Sequence, residues 1–133
     1  MRTDGAAPTG GQAGLVSRFM ADLQEPRTPF ISSERFAKRL GVNKMALARI
    51  AGVHRNTLRT NPGSEVLQVR LREMTRVILA ASELTGDVDR AVYWFVNEPI
   101  RDYRGMTAAE LVAGGRVAAV LSYLEDLQNG AAG

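Results

Sequence analysis

The chain has 133 residues, 45% of them hydrophobic and none of them cysteine, so disulfides and thiolate zinc sites are excluded. No segment approaches the run of about 18 apolar residues that crosses a bilayer, so we expect a cytoplasmic protein with no membrane partner. The net charge is +3, but residues 1–62 hold ten Lys or Arg against four Asp or Glu, and residues 63–133 hold seven against ten. A basic first half suits phosphate and an acidic second half suits a protein partner, although ordinary solvated surface explains the imbalance equally well.

Residues 1–14 are rich in Gly, Ala and Thr, and we expect them to form a flexible tail. The apolar spacing from Leu15 onward predicts a first helix that ends before Pro26. Ser and Asn side chains then predict further helix starts, because they accept hydrogen bonds from backbone N–H groups there. These predicted helices span residues 33–40, 44–51, 54–60 and 65–84. No segment alternates as a strand does, so the chain is predicted to be all-α.

Residues 44–58 have the spacing of a helix-turn-helix, and we assign residues 15–63 to a unit of this kind. A small Ala48 lets two helices cross closely, and Gly52 can take the positive φ of a tight turn. The second helix is expected to read DNA, since Arg pairs with guanine and Asn with adenine. The candidate DNA-binding residues are His54, Arg55, Asn56, Thr57, Arg59 and Thr60. Pro62 limits this helix to about two turns, and similar turns occur in proteins that do not bind DNA.

The second half of the chain carries its own helix signals. Asp87 can cap a helix that Pro99 stops. Thr107 and Glu110 have the spacing of a capping box, so a short helix is expected directly after Thr107. Apolar residues then repeat at helical intervals over residues 116–130, which predicts an amphipathic last helix.

No set of residues converges on catalysis. His54 is the only histidine, and one imidazole without cysteine or a fixed carboxylate makes neither a metal site nor a nucleophile site. Asp87 and Asp89 point to different sides of a helix, so capping explains them better than acid–base chemistry. Trp94 and Phe95 fit a hydrophobic core, with Trp94 partly at an interface. We therefore expect no enzyme, no metal and no cofactor.

Glycine, proline and aromatic residues recur in a fixed order in the last third of the chain: Gly86-Asp87, Trp94-Phe95, Pro99, Gly105, Glu110-Leu111, Gly115 and Val120 to Leu124. This order resembles the C-terminal toxin-binding domain of the Xre/MbcA/ParS family of antitoxins, with departures at residues 101–104 and at Ala108. The resemblance implies a domain over residues 64–133 that covers the NAD pocket of a RES-domain toxin, which consumes NAD or uses it for ADP-ribosylation. It also implies that an N-terminal helix-turn-helix binds the promoter of the same operon.

We expect the acidic end of the last helix to lie over the basic pocket of the toxin and exclude NAD, while Leu121, Leu124 and Leu127 pack against their own domain. A solvated helix edge explains Glu125 or Asp126 singly equally well. The candidate toxin-binding residues are Trp94, Arg101, Tyr103, Arg104, Arg116, Glu125, Asp126, Gln128, Asn129 and Gly130. The apolar stripe from Leu67 to Leu84 is wide enough to need cover beyond its own neighbours, so we expect a homodimer. The alternative function is a dimeric helix-turn-helix transcriptional regulator without a toxin partner.

Overall fold

The computed structural model describes residues 6–130, and within that range it contains eight α-helices, one 3₁₀ turn and no strand beyond isolated bridges. The predicted all-α class is therefore confirmed. In chain order the elements are α1 (Ala6–Leu23), α2 (Ser33–Leu40), α3 (Lys44–Ala51), α4 (Arg55–Thr60), α5 (Glu65–Thr85), α6 (Val88–Asn97), the 3₁₀ turn (Arg101–Tyr103), α7 (Ala108–Ala113) and α8 (Val117–Gly130). None of the helices in this range is long and apolar enough to span a membrane.

Most helices begin where the sequence predicts, because a polar side chain caps the backbone at that point. Ser32, Asn43 and Asp87 each accept a hydrogen bond from the first turn of the helix that follows. The predicted capping box is also formed: Glu110 N–H donates to Thr107 Oγ1 at 3.1 Å, and Thr107 N–H donates to Glu110 Oε1 at 2.8 Å. Local hydrogen bonding therefore accounts for these boundaries.

The first helix is longer than predicted. α1 begins at Ala6, so residues 6–14 of the predicted flexible tail are helical, and residues 1–5 lie outside the described residues. Alanine has the highest helix propensity, and Pro8 lies in the first turn, where the missing N–H group has no helical partner to lose. The segment is thus helical in spite of Gly10, Gly11 and Gly14, on which the prediction of a flexible tail rested.

The two predicted units share one hydrophobic core. Phe36 and Leu47 from the first half belong to the same buried cluster as Phe95 and Leu111 from the second half. α5 packs against α6 and α8, while α3 packs against α5 and α7, and α2 packs against α6. Packing therefore crosses the boundary that we placed between residues 63 and 64, and α3 is supported by helices of the second half.

The apolar stripe of α5 is covered by the chain itself. Its fully buried members are Leu67, Leu71, Met74, Val77 and Ile78. Helices α3, α6, α7 and α8 all pack against α5, and only Leu84, at the end of the stripe, is 37% exposed. The interpretation that this stripe needs cover from a second copy is therefore wrong, and a homodimer needs another surface.

Arg70 joins the two halves of the chain through hydrogen bonds to backbone carbonyl groups. Its Nη1 donates to the carbonyl oxygen of Ile50, at 2.9 Å, and to that of Val112. These carbonyls lie in the last turns of α3 and α7, and that of Val112 also accepts from Gly115 N–H at 2.9 Å. The Arg70 Nε also lies 3.2 Å from Glu73 Oε1. One guanidinium group therefore holds the ends of two helices against α5.

Candidate functional site

The turn between α3 and α4 is as compact as the sequence predicts. Gly52 has φ 73°, a conformation that glycine adopts without steric cost, and only residues 52–54 separate the two helices. Val53 N–H donates to the carbonyl oxygen of Ala48 at 3.1 Å, and Leu58 is buried beneath α4. This geometry places the outer side of α4 in solvent.

Three of the six predicted DNA-binding residues have exposed side chains without a hydrogen bond that holds them to the described chain: Arg55, Asn56 and Arg59. His54 was predicted to be the first helical residue, but its backbone is extended. It caps α4 instead, since its Nδ1 accepts a hydrogen bond from Asn56 N–H at 3.1 Å. Thr60 Oγ1 donates to the carbonyl oxygen of Asn56 at 2.8 Å, and Thr57 is half-buried. The side chains of Arg55, Asn56 and Arg59, which can grip guanine, adenine or phosphate, are therefore not engaged within the described chain.

The end of α4 is fixed by a buried side chain of α5. Gln68 donates its amide N–H groups to the carbonyl oxygens of Pro62 and Ile31, each at 2.9 Å, and its Oε1 accepts from Ile31 N–H at 2.9 Å. α4 has six residues, so it extends for about 9 Å. Such a short helix can present fewer than two turns of side chains to a DNA groove.

An open groove lies beside α4, and we call its exposed wall the α4 surface. Arg55, Asn56 and Arg59 line it from α4, and Lys44 and Met45 line it from α3. Lys44 and Met45 were not predicted as site residues, although Met45, 60% exposed, lies off the buried side of α3. Two acidic residues line the groove as well, Glu25 and Glu34. The cations of the α4 surface suit phosphate, and the Met45 side chain suits an apolar contact with a base.

Predicted toxin-binding residues from the 3₁₀ turn and from the start of α8 contact one another. The Arg116 guanidinium carbon lies 5.1 Å from the centroid of the Tyr103 ring, a cation–π geometry. The Tyr103 ring meets the Tyr123 ring edge to face, with centroids 6.3 Å apart. Burial raises the pKa of Tyr123 above its ordinary value, and the Asp102 carboxylate raises it further. Tyr123 was not predicted as part of this site.

Arg101 and Arg104 flank Tyr103 along the chain, and both are exposed. Arg104 has φ 58°, in the left-handed region that residues other than glycine seldom adopt. Ile100 N–H donates to the carbonyl oxygen of Met106 at 2.9 Å, which closes the reversal of the chain. We use the name arginine–tyrosine cluster for four predicted residues of this turn and of the position before α8, of which Tyr103 and Arg116 are in contact: Arg101, Tyr103, Arg104 and Arg116.

The end of α8 extends beyond the hydrophobic core. Leu124 is the last buried residue, and every residue from 125 to 130 is exposed. This segment, which we call the α8 end, contains five predicted toxin-binding residues: Glu125, Asp126, Gln128, Asn129 and Gly130. Leu127 is 42% exposed, so the expectation that it packs against its own domain is wrong. Leu127 lies on the same side of α8 as Leu124, as predicted, but no neighbouring helix of the described chain covers it.

Trp94 lies on a different part of the surface. It is half-buried on α6, beside Tyr93, which is 61% exposed, and it shares a shallow pocket with Arg90 and Glu98. Among residues 6–130 no ion pair or aromatic contact joins Trp94 to the arginine–tyrosine cluster or to the α8 end. Tyr93 was not predicted, although it lies off the buried stripe of α6.

Comparisons with known proteins give no assignment: no family model, no curated protein and no solved structure matches this chain. Within the described part of the chain, no group of three metal-ligating side chains could hold a metal ion. The order of residues from Gly86 to Gly130 therefore remains the basis of the resemblance to antitoxins.

The candidate surfaces differ in charge and chemistry. The α4 surface presents guanidinium, ammonium and amide groups around a groove. The arginine–tyrosine cluster contains three exposed arginines, one of which lies over the Tyr103 ring, whereas the α8 end presents two carboxylates, two amides and an exposed leucine. Each group of side chains can form hydrogen bonds and ion pairs with a partner of complementary charge.

Proposed function

We propose that the chain is an antitoxin that binds a RES-domain, NAD-using toxin and blocks its active site. The observation that carries the proposal is the α8 end, in which every residue after Leu124 is exposed. A helix end that covers no core of its own is free to enter a cleft of another protein. The order of residues from Gly86 to Gly130 indicates the class of that protein.

Blocking in this proposal requires charge and bulk, and it requires no chemical step by the antitoxin. A pocket that holds the pyrophosphate of NAD needs cationic groups or helix N-termini. Glu125 and Asp126 complement such a pocket, and Gln128 and Asn129 add amide donors and acceptors. The exposed Leu127 adds apolar contact area. NAD and the α8 end then compete for one volume.

The arginine–tyrosine cluster is proposed as a second region of contact with the toxin. The Tyr103 ring contacts both the Arg116 guanidinium and the Tyr123 ring, so it is already ordered before binding. Ordered aromatic and arginine side chains bind with a small loss of conformational entropy. Trp94 is proposed as a separate contact, since it lies apart from this cluster.

The test is co-expression with the RES-domain toxin that is encoded beside the gene, followed by measurement of growth and of NAD turnover. Deletion of residues 125–133 is expected to abolish rescue of growth. A sharper variant combines Glu125→Ala with Asp126→Ala and is expected to weaken inhibition about ten-fold or more. The matched control combines Glu65→Ala with Glu83→Ala, two exposed acids of α5. Undiminished rescue by the deletion variant would refute the proposal.

We also propose that the antitoxin binds its own promoter through the α4 surface. Arg55 and Arg59 are exposed and share one groove with Lys44. Replacing Arg55 and Arg59 by alanine is expected to weaken promoter binding and to reduce the slope of log K against log salt by about two. The control replaces Arg72 and Arg76, exposed on α5, and is expected to leave the slope unchanged.

The second candidate function is a dimeric transcriptional regulator that has no toxin partner. It is favoured by the exposed Arg55, Asn56 and Arg59, which do not depend on the α8 end. Promoter binding with steep salt dependence, together with the absence of an adjacent toxin gene, would support this function over the first. Inhibition of NAD turnover by the purified chain would support the first.

A further inference from the structure

One buried polar side chain lacks the hydrogen bond that the others have. The buried polar residues of the described chain are Ser32, Ser33, Gln68, Thr75 and Ser82. All except Ser33 form side-chain hydrogen bonds with backbone groups. Ser33 is 8% exposed, and among residues 6–130 its hydroxyl group has no hydrogen-bond partner. A buried hydroxyl group without a partner lowers stability, so a partner from outside the chain is what this group lacks.

Ser33 is the first residue of α2, where backbone N–H groups are also free. Ser32 caps this helix, and its Oγ accepts a hydrogen bond from Arg35 N–H at 3.1 Å. The N–H groups of Ser33 and Glu34 have no partner within the described part of the chain, as is usual in the first turn of a helix. The helix dipole favours an anion at this end. One hydroxyl group and two amide groups are therefore available as donors at the start of α2.

The start of α2 opens into the groove beside α4. Ser33 lines this groove, which has a volume of about 780 Å³. Three cations of the α4 surface line it as well: Lys44, Arg55 and Arg59. None of the three forms an ion pair in the part of the chain that the structure describes. The groove therefore combines unpartnered donors with cations, which is the chemistry of an anion site.

Two carboxylates, those of Glu25 and Glu34, line the same groove and oppose the binding of an anion. Three cations against two carboxylates leave the groove with an excess of one positive charge. Among the described residues, neither carboxylate accepts a hydrogen bond from the Ser33 hydroxyl group or from the free amide groups of α2. The carboxylates therefore weaken the attraction for an anion, but they leave the donors unoccupied.

We propose that this groove binds a phosphate group at the start of α2, with the hydroxyl group of Ser33 and the N–H groups of Ser33 and Glu34 as donors. The several oxygens of a phosphate group accept from these donors and from Lys44 or Arg59 at the same time. Two sources share this chemistry, the backbone of DNA and a small phosphate ester. Where the phosphate belongs to promoter DNA, the inference rests on the promoter binding proposed above and adds a contact from α2.

The test is NMR spectroscopy of the full chain, in which sodium phosphate replaces sodium chloride at constant ionic strength. The amide signals of Ser33 and Glu34 are expected to shift and to saturate over the millimolar range. The start of α5 is the matched reference within the same spectrum, because Ser64 caps it and an acidic residue follows there too. Its first two residues, Glu65 and Val66, are exposed, and their amide signals are expected to stay in place.

Ser33→Ala is expected to weaken the binding of inorganic phosphate about five-fold or more, because one donor to a charged group is lost. The midpoint of urea denaturation should not fall, since the hydroxyl group has no partner in the described chain to lose. A serine that only supported the fold would lower that midpoint. Glu34→Gln is expected to strengthen phosphate binding about two-fold, because one repelling charge is removed. Ser122→Ala, exposed on α8, is the control and is expected to leave phosphate binding unchanged.

A promoter duplex distinguishes the two sources of phosphate. If Ser33→Ala weakens binding of the duplex as well as of inorganic phosphate, the phosphate belongs to DNA. If it weakens only inorganic phosphate, the ligand is a small phosphate ester. Signals of Ser33 and Glu34 that move no more than those at the start of α5 would overturn the proposal, and so would equal phosphate affinity in Ser33→Ala and the wild-type chain. The salt slope of the Arg55 and Arg59 variant tests promoter binding separately, so failure of one proposal is distinguishable from failure of the other.

Discussion

Polar side chains have different roles in two regions of this molecule. Around α5, Gln68 and Arg70 donate hydrogen bonds to backbone carbonyl groups of distant segments, and they hold α3, α4 and α7 in place. At the α8 end, Glu125 and Asp126 are exposed and form no ion pair among residues 6–130. The same classes of residue therefore build the fold in one region and remain available to a partner in the other.

Substitutions in the two regions should therefore have different effects, one on folding and the other on binding. Substitution of a buried polar group should lower the free energy of unfolding, because a partner is left without a hydrogen bond. Substitution of an exposed, unpaired charge should leave folding almost unchanged and alter binding. Substitutions at four places in the chain distinguish the two cases, beginning with the largest expected effect on stability.

Gln68→Ala is expected to lower the free energy of unfolding by about 3 kcal/mol. The substitution leaves the N–H and carbonyl groups of Ile31 and the carbonyl group of Pro62 without the partner they now have. Urea denaturation followed by circular dichroism measures the loss. Gln128→Ala, at the exposed α8 end, is the matched control and is expected to change stability by less than about 0.5 kcal/mol. Equal losses in the two variants would contradict the comparison of the two regions.

Arg70→Met is expected to lower the free energy of unfolding by about 2 kcal/mol, because two carbonyl groups at helix ends lose a charged donor. Arg70→Lys should recover part of this loss, since an ammonium group keeps the charge but lacks the fork of a guanidinium. Arg72→Met, on the exposed side of α5, is the control. If Arg72→Met lowers stability as much as Arg70→Met does, the bridge between α3 and α7 has no energetic importance.

Helix boundaries were predictable because they depend on neighbours in sequence. Ser32 and Thr107 each accept a hydrogen bond from an N–H group three residues later, and such spacing is visible in the sequence. The bridges were not predictable. Gln68 reaches a backbone group 37 residues away, and Arg70 reaches one 42 residues away. No spacing rule indicates which backbone group a side chain meets after the chain has folded.

The candidate sites were predictable in part for the same reason. Helical periodicity gives the side of α8 on which Leu127 lies, but it does not give the extent of the neighbouring helices, so the exposure of Leu127 was missed. Met45 was missed because it joins the α4 surface from a different helix. Tyr123 was missed because its contact with Tyr103 depends on the sharp reversal of the chain at Arg104.

Combining Glu125→Lys with Asp126→Lys is expected to raise the free energy of unfolding of the monomer by about 0.5 kcal/mol, because cations suit the carboxyl end of a helix. The sign is opposite to that for Gln68→Ala. Thermal unfolding at low salt measures the gain. Glu65→Lys, in the first turn of α5, is the control and is expected to lower stability. A loss of stability in the double variant would mean that the α8 carboxylates have a folding role.

The smallest predicted effect concerns Tyr123, which is half-buried in α8, directly before Leu124 and the α8 end. Burial, and to a lesser extent the Asp102 carboxylate, raises the pKa of Tyr123 above its ordinary value of 10.0. The folded chain therefore holds this proton more tightly than the unfolded chain does. The resulting contribution to stability is complete below pH 10.0, and it is lost as the pH rises through the raised pKa.

Tyr123→Phe is accordingly expected to flatten the fall in the free energy of unfolding above about pH 10, measured by urea denaturation at several pH values. Asp102→Asn should flatten it less, because burial is the larger cause. Titration of tyrosinate absorbance should show one group of higher pKa that is absent from Tyr123→Phe and present in Tyr93→Phe, whose ring is exposed. If Tyr123→Phe and the wild-type chain lose stability equally with rising pH, the pKa of Tyr123 is not raised by folding, and this side chain is as solvated as the residues of the α8 end.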